Sequence, residues 1–162
     1  MATTFDVFYL GTGPAIDPYE GDAESENAGL LLGNTYGSTG DPLFDNIQSF
    51  SPGSTGYGNS ISNVYATDNF VGLFDDEDTF RINGGSSQTF DAIVAYNATI
   101  TYADGTTATI TAVVFQDTSG NLYLAPEFES HADQTALAAK ALTSITLNPI
   151  QADNTNMSAD RL

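Results

Sequence analysis

Carboxylates are the side chains with the most chemistry to offer in this sequence. Asp75, Asp76 and Asp78 crowd into one short turn, and Asp17, Glu20, Asp22, Glu24 and Glu26 punctuate the polar stretch 17–27. Oxygen-rich loops of this kind suit Ca2+, a hard cation that takes several oxygen ligands at once. Asp75, Asp76, Asp78, Asp22 and Glu24 are therefore the candidate metal ligands, and Ca2+ is the one cofactor the sequence suggests. Neither stretch follows the EF-hand loop, with its alternating Asp residues, central Gly and late Glu. A run of charge is equally at home as a solvated turn.

Other reactive constellations are sparse. Glu127 and Glu129 could form the acid pair of a glycosidase, but among 21 acidic residues such pairs arise by chance, and Trp is absent as a sugar-stacking platform. His131 is the only histidine, and it precedes a helix-like stretch, where a surface or capping role fits better than general-base catalysis. No Ser occupies a Gly-x-Ser-x-Gly elbow, the run 51–56 reads as a turn-forming loop, and no phosphate-binding glycine fingerprint occurs. The chain reads as non-enzymatic.

The charge balance narrows the partners. Twenty-one acidic residues stand against Arg81, Lys140 and Arg161, a formal net charge of −18. Such a surface repels nucleic acid and anionic lipid. It also repels itself, so it calls for bound cations, salt, or dilution of the charge over the surface. There is no cysteine, hence no disulfide and no thiolate metal site. The longest apolar runs, such as 28–32 and 112–115, are far too short to span a bilayer, so no membrane insertion is expected. The residues after Met1 lack the basic, then apolar, layout of a signal peptide. Export without an N-terminal signal, to the cell surface or beyond, is the expectation.

The elements that would position these groups are mostly strands. Residues 3–10 read as a strand with Phe5, Val7 and Tyr9 on one face and Phe8 and Leu10 on the other, a segment that needs cover on both sides. The breaker 11–14 follows. Residues 28–32 read as a short buried strand, with further strands at 46–50, 63–66 and 79–82. The strongest signal is a hairpin. Residues 93–102 and 106–116 alternate around the turn Ala103-Asp104-Gly105, and 122–125 return as a third strand. Thr99 and Thr101 then lie beside Thr107, Thr109 and Thr111, a cross-strand threonine ladder; a flat threonine array of this kind is otherwise known as an ice-binding design. Residues 133–142 are the one good helix, with Lys140 near its end, and 144–147 form a last strand. The expected architecture is an all-β antiparallel sandwich or barrel-like sheet with one short C-terminal helix. Residues 1–150 would make a single domain, and 151–162 a polar tail.

Three stretches carry a resemblance: Asp41 to Gly56, Tyr96 to Thr118, and Tyr123 to Phe128. Together they resemble the N-terminal region of exported bacterial proteins, common in marine alphaproteobacteria, that carry a Hint (hedgehog/intein-like) autoprocessing domain. The similarity covers most of residues 3–150 and involves no catalytic motif. In that family the self-cleaving chemistry belongs to a domain opening on a nucleophilic Cys, which this sequence does not contain. The resemblance implies that the chain is the passenger, released or displayed outside the cell.

The expected function is accordingly a structural or adhesive extracellular protein that assembles with itself into a surface or matrix filament. Phe5, Val7, Phe8, Tyr9 and Leu10 would be the subunit interface, inserted into a neighbour's sheet. The alternative, a central strand of its own domain, satisfies the same apolar faces. The second expectation is a Ca2+-stabilised module for glycans or another surface ligand, supported by Tyr19, Tyr36, Tyr57 and Tyr65 in polar loops.

Overall fold

The structure is a computed structural model, and it describes residues 4–17, 25–53, 79–126 and 132–152. Its strands in chain order are β1 (Phe5–Thr12), β2 (Thr35–Tyr36), β3 (Ile47–Pro52), β4 (Thr79–Ile82), β5 (Ser87–Tyr102), β6 (Thr107–Asp117), β7 (Asn121–Ala125) and β8 (Leu142–Ala152), with one α-helix, α1 (Ala132–Ala139). Every strand pairing is antiparallel. The all-β architecture with a single short helix is as the sequence predicts. The predicted strand at 63–66 lies outside the described residues.

The long strand β5 organises the sheet. β6 runs along one of its edges, while β4 and then β8 share the other. From β4 the pairings continue through β3, β1 and β7 back to β6, so six strands close a ring in the order β5-β4-β3-β1-β7-β6. β8, edged by the two-residue β2, extends from this ring as a flap. Closure leaves no free backbone edge within the ring, which removes the usual liability of an exposed strand.

Side-chain alternation divides the apolar residues between two cores. Val7, Phe50, Phe80, Phe90, Ile93, Phe115, Tyr123 and Ala125 fill the ring's interior. Phe50 lies at the centre, with ring centroids 4.5 Å from Phe5, 5.3 Å from Phe80 and 5.7 Å from Phe115. Burying each such ring is worth about 1.5–3 kcal/mol. The outer faces of β5, β6, β7 and β8 form the second core with Leu10, Ile16, Leu31, Leu43 and Leu137. Tyr96 and Tyr102 anchor that layer by donating their hydroxyls to the carbonyls of Ala28 at 2.8 Å and Ala136 at 2.6 Å.

β1 therefore has both its apolar faces covered inside its own chain. Val7 points into the ring and Leu10 into the outer core, and the strand pairs with β3 on one side and β7 on the other. The need for cover that suggests a neighbouring subunit is met by the central-strand alternative.

Several boundaries differ from the sequence reading, each for a local reason. Residues 28–31 form a 3-10 helix rather than a strand. Ala28 and Leu31, three apart, are buried, while Leu30 and Leu32 are 55% and 41% exposed, a spacing that a short apolar run does not reveal. β5 begins earlier than the alternation suggests, at Ser87, and a register shift between Phe90 and Ala92 brings Phe90 onto the same inward face as Ile93. The helix ends at Ala139, and Leu142 already opens β8. Lys140 instead bonds Asp104 in the hairpin turn at 2.8 Å. β8 runs on to Ala152, taking Gln151 and Ala152 from the predicted tail.

The hairpin register is as predicted, with Thr99 opposite Thr109 and Thr101 opposite Thr107. The ladder also continues across β5. Thr146 lies opposite both Thr99 and Thr35, and its hydroxyl is 2.7 Å from that of Thr35. Asn148 donates to Thr99 Oγ1 at 3.1 Å. These contacts tie the flap to the ring in the manner of cross-strand hydroxyl pairs.

Candidate functional site

Where the ring opens at one end, all six of its strands contribute an inward-facing residue: Tyr9 (β1), Gln48 (β3), Ile82 (β4), Gln88 (β5), Asp117 (β6) and Tyr123 (β7). They share the alternation of the aromatic interior, one step nearer the opening. Five of the six carry polar groups, so a polar collar caps an aromatic plug. Two turns build the rim. Asn83 and Gly84 both adopt positive φ, 52° and 70°, giving the tight turn between β4 and β5. The turn after β6 places Gly120 at φ 90°, where a Cβ would stand 2.9 Å from the Gly13 carbonyl oxygen. The resulting cleft holds about 550 Å3.

Asp117 is the hub of the collar. It is buried, yet four N–H groups reach its two oxygens. Oδ1 accepts from the backbone N–H of Ser119 at 3.0 Å and of Asn121 at 2.8 Å. Oδ2 accepts from Gln88 Nε2 at 2.6 Å and Asn121 Nδ2 at 2.8 Å. A buried carboxyl satisfied in this way fixes its neighbours rather than reacting. Gln88 Nε2 also donates to the Tyr123 hydroxyl at 2.8 Å, and Tyr9 donates its hydroxyl to Asn121 Oδ1 at 3.0 Å. The two tyrosine rings lie 5.4 Å apart and tilted by 48°. Burial pushes the Tyr123 hydroxyl above its ordinary pKa; the bond from Gln88 opposes this, and the nearby Asp117 and Tyr9 reinforce it.

Below this collar, Gln116 points to the opposite face and pins the chain that leaves β1. Its Oε1 accepts from Ile16 N at 3.0 Å and its Nε2 donates to the Pro14 carbonyl at 2.9 Å. The breaker after β1 is thus a fixed corner.

The residues singled out from sequence fall in different places. Asp22, Glu24, Asp75, Asp76 and Asp78 lie outside the described residues, as do Glu127, Glu129, His131, Tyr19, Tyr57 and Tyr65. Among the described residues, no three His, Asp or Glu side chains gather as metal ligands would. No described helix is long and apolar enough to cross a membrane. Tyr36 sits half-buried in β2, where its hydroxyl accepts from Asn34 at 3.4 Å. Of the proposed interface residues, only Tyr9 reaches the cleft. Gln48, Gln88, Asp117, Asn121 and Tyr123 escape a reading based on acidic clusters. The available signal is the strand alternation itself, which puts Asp117 on the same face as Phe115, where a charged group needs partners. Comparison with protein-family models, with curated proteins and with solved structures found no match to this chain.

Proposed function

We propose that this chain is a non-enzymatic extracellular attachment domain whose contact surface is the polar mouth of the barrel. The observation that carries the reading is the collar: five polar side chains from five strands, of which Tyr9, Gln88 and Tyr123 are fixed through Asp117, at the open end of a ring otherwise plugged by aromatic residues. Concave sites with a few fixed polar groups are what oriented small-ligand recognition requires, and the lining of this one is mostly polar. Asp117 spends both oxygens on N–H donors, so it is poorly placed as a general base. The resemblance to passenger regions of exported Hint-bearing proteins supports a place outside the cell. The test is an amide NMR screen of the purified chain against neutral sugars, sugar acids, amino sugars, amino acids and divalent cations. Shifts should concentrate at residues 83–89 and 117–123. A screen in which nothing perturbs these residues refutes the reading.

Self-assembly by exchange of β1 is the second reading. Its support is that, among the described residues, the strand partners of β1 are β3 and β7, both far along the chain, and that it carries apolar groups on both faces. A β1 donated by another copy would recover the same pairs.

A further inference from the structure

Resting on the reading of the mouth as a contact surface, we infer that its ligand is an uncharged saccharide, held by a preset pattern of two acceptors and one donor. The pattern follows from Asp117, whose oxygens meet only N–H groups. Because Asn121 turns its amide nitrogen to Asp117, its carbonyl faces Tyr9, and Tyr9 must spend its proton on that bond. The Tyr9 oxygen is left as an acceptor. Gln88 directs Nε2 to both Asp117 and the Tyr123 hydroxyl, which uses both amide hydrogens and leaves Oε1 as an acceptor. Tyr123 accepts that bond, so its own proton is left to donate. A tyrosine hydroxyl keeps its proton at neutral pH, and burial of Tyr123 acts in the same direction.

Ligand classes differ in how they answer this pattern. A sugar hydroxyl is donor and acceptor at once, so neighbouring hydroxyls can give to Gln88 and Tyr9 and take from Tyr123. A carboxylate, sulfate or phosphate only accepts. It would satisfy one group, confront two, and approach a chain of net charge −18. An ammonium group only donates: it could give to Gln88 and Tyr9 but would confront the Tyr123 proton, and the one carboxyl of the collar already meets four N–H donors. The partly exposed ring of Tyr9 offers an apolar surface for the C–H face of a sugar ring, while Tyr123 lies buried with only its hydroxyl end toward the cleft, and the exposed Ser86 and Ser87 add rim hydroxyls. The volume suits a mono- or disaccharide.

The experiment is calorimetric titration, with NMR mapping, of the full chain and two variants. The ligands are glucose, galactose, mannose and N-acetylglucosamine, with glucuronate and glucosamine as charged counterparts. At least one neutral sugar should bind at the mouth, and the charged counterparts should bind at least about tenfold more weakly. Tyr123→Phe removes the donor and should weaken binding roughly tenfold, the equivalent of one hydrogen bond. Ser86→Trp obstructs the rim from an exposed position, so it should abolish binding with an unchanged melting temperature even if Tyr123→Phe folds poorly. The inference is overturned if no neutral sugar binds, if a charged counterpart binds as tightly, or if Ser86→Trp leaves the affinity intact. If an amino acid or cation perturbs the mouth while every sugar fails, the attachment reading survives and the saccharide inference falls. If nothing perturbs it, both fall.

Discussion

Asp117→Asn is the sharpest test of the collar, because it changes one oxygen to an NH2 group and almost nothing else. The remaining oxygen would stay with the backbone N–H groups of Ser119 and Asn121, which cannot turn away. The new NH2 would then face Gln88 Nε2 and Asn121 Nδ2, donor against donor. Each amide can escape by flipping. Gln88 then turns Oε1 to Tyr123 and Asn121 turns Nδ2 to Tyr9, and each tyrosine hydroxyl, donor and acceptor at once, keeps its bond by reversing direction. What is lost is charge: the two backbone N–H bonds that stay in place fall from about 1.5–3 kcal/mol each, the worth of a bond to a charged group, to about 0.5–1.5 kcal/mol, which makes the cost about 1–3 kcal/mol. For a chain of this size that lowers the melting temperature by roughly 2–4 °C per kcal/mol. Urea denaturation should show the lower midpoint with an unchanged m-value. A variant as stable as the parent would refute the network.

Other perturbations test other parts of the fold. Phe50→Ala empties the centre of the ring, where Phe50 has no exposed surface, and should cost about 3–5 kcal/mol in denaturant titrations; a cost below about 1 kcal/mol contradicts the plug. Deleting residues 1–12 opens the ring between β3 and β7, so ultracentrifugation should show aggregation, reversed by a peptide of residues 3–12. A truncated chain that stays monomeric and cooperative rules out both the closed ring and strand exchange, and a full chain monomeric at millimolar concentration rules out exchange alone. Tyr36, Tyr96 and Tyr123 all have their pKa raised by burial above the ordinary 10.0. The folded state therefore holds protons that the unfolded chain has shed, and stability should be intact below pH 10.0 and fall as pH rises through the folded values. Flat stability from pH 9 to 12 would show that these hydroxyls are not buried. The net charge of −18 predicts a melting temperature that rises with NaCl; a further rise with Ca2+ at matched ionic strength would mark a bound cation, and no response to either ion would contradict self-repulsion.

What the sequence disclosed was local. The β5–β6 hairpin is legible because its partners are near in sequence and its alternation is strict, down to Thr99 opposite Thr109. The two-faced character of β1 is legible for the same reason. A barrel-like sheet was among the expected forms, but the strand pairs that close it were not legible, because closure depends on Tyr9 meeting Tyr123 and Phe50 meeting Ile82, pairings that no local pattern encodes. The collar was hidden by the same separation. Asp117 sits in a run that reads as a turn, and only closure brings Gln88 and Tyr9 to it. The residues 28–31 misled because four apolar residues fit a strand and a 3-10 turn equally well. Asp22, Glu24, Asp75, Asp76 and Asp78 drew attention through charge density, which marks solvated loops at least as often as ligand sets.

Closure of the ring also sets an order of events during synthesis. β1 needs β3 on one edge and β7 on the other, and Tyr9 bonds a residue 112 positions later. A chain that appears N-terminus first cannot seat its first strand on both edges until Ala125 has emerged, so the ring stays open while most of the chain is being made. Such long-range topology folds slowly, and the waiting strand would ordinarily invite clumping. Like charge on every copy keeps the waiting chains apart. Acidity and late closure together thus describe a polypeptide whose copies stay apart until the seventh strand arrives and the ring locks shut.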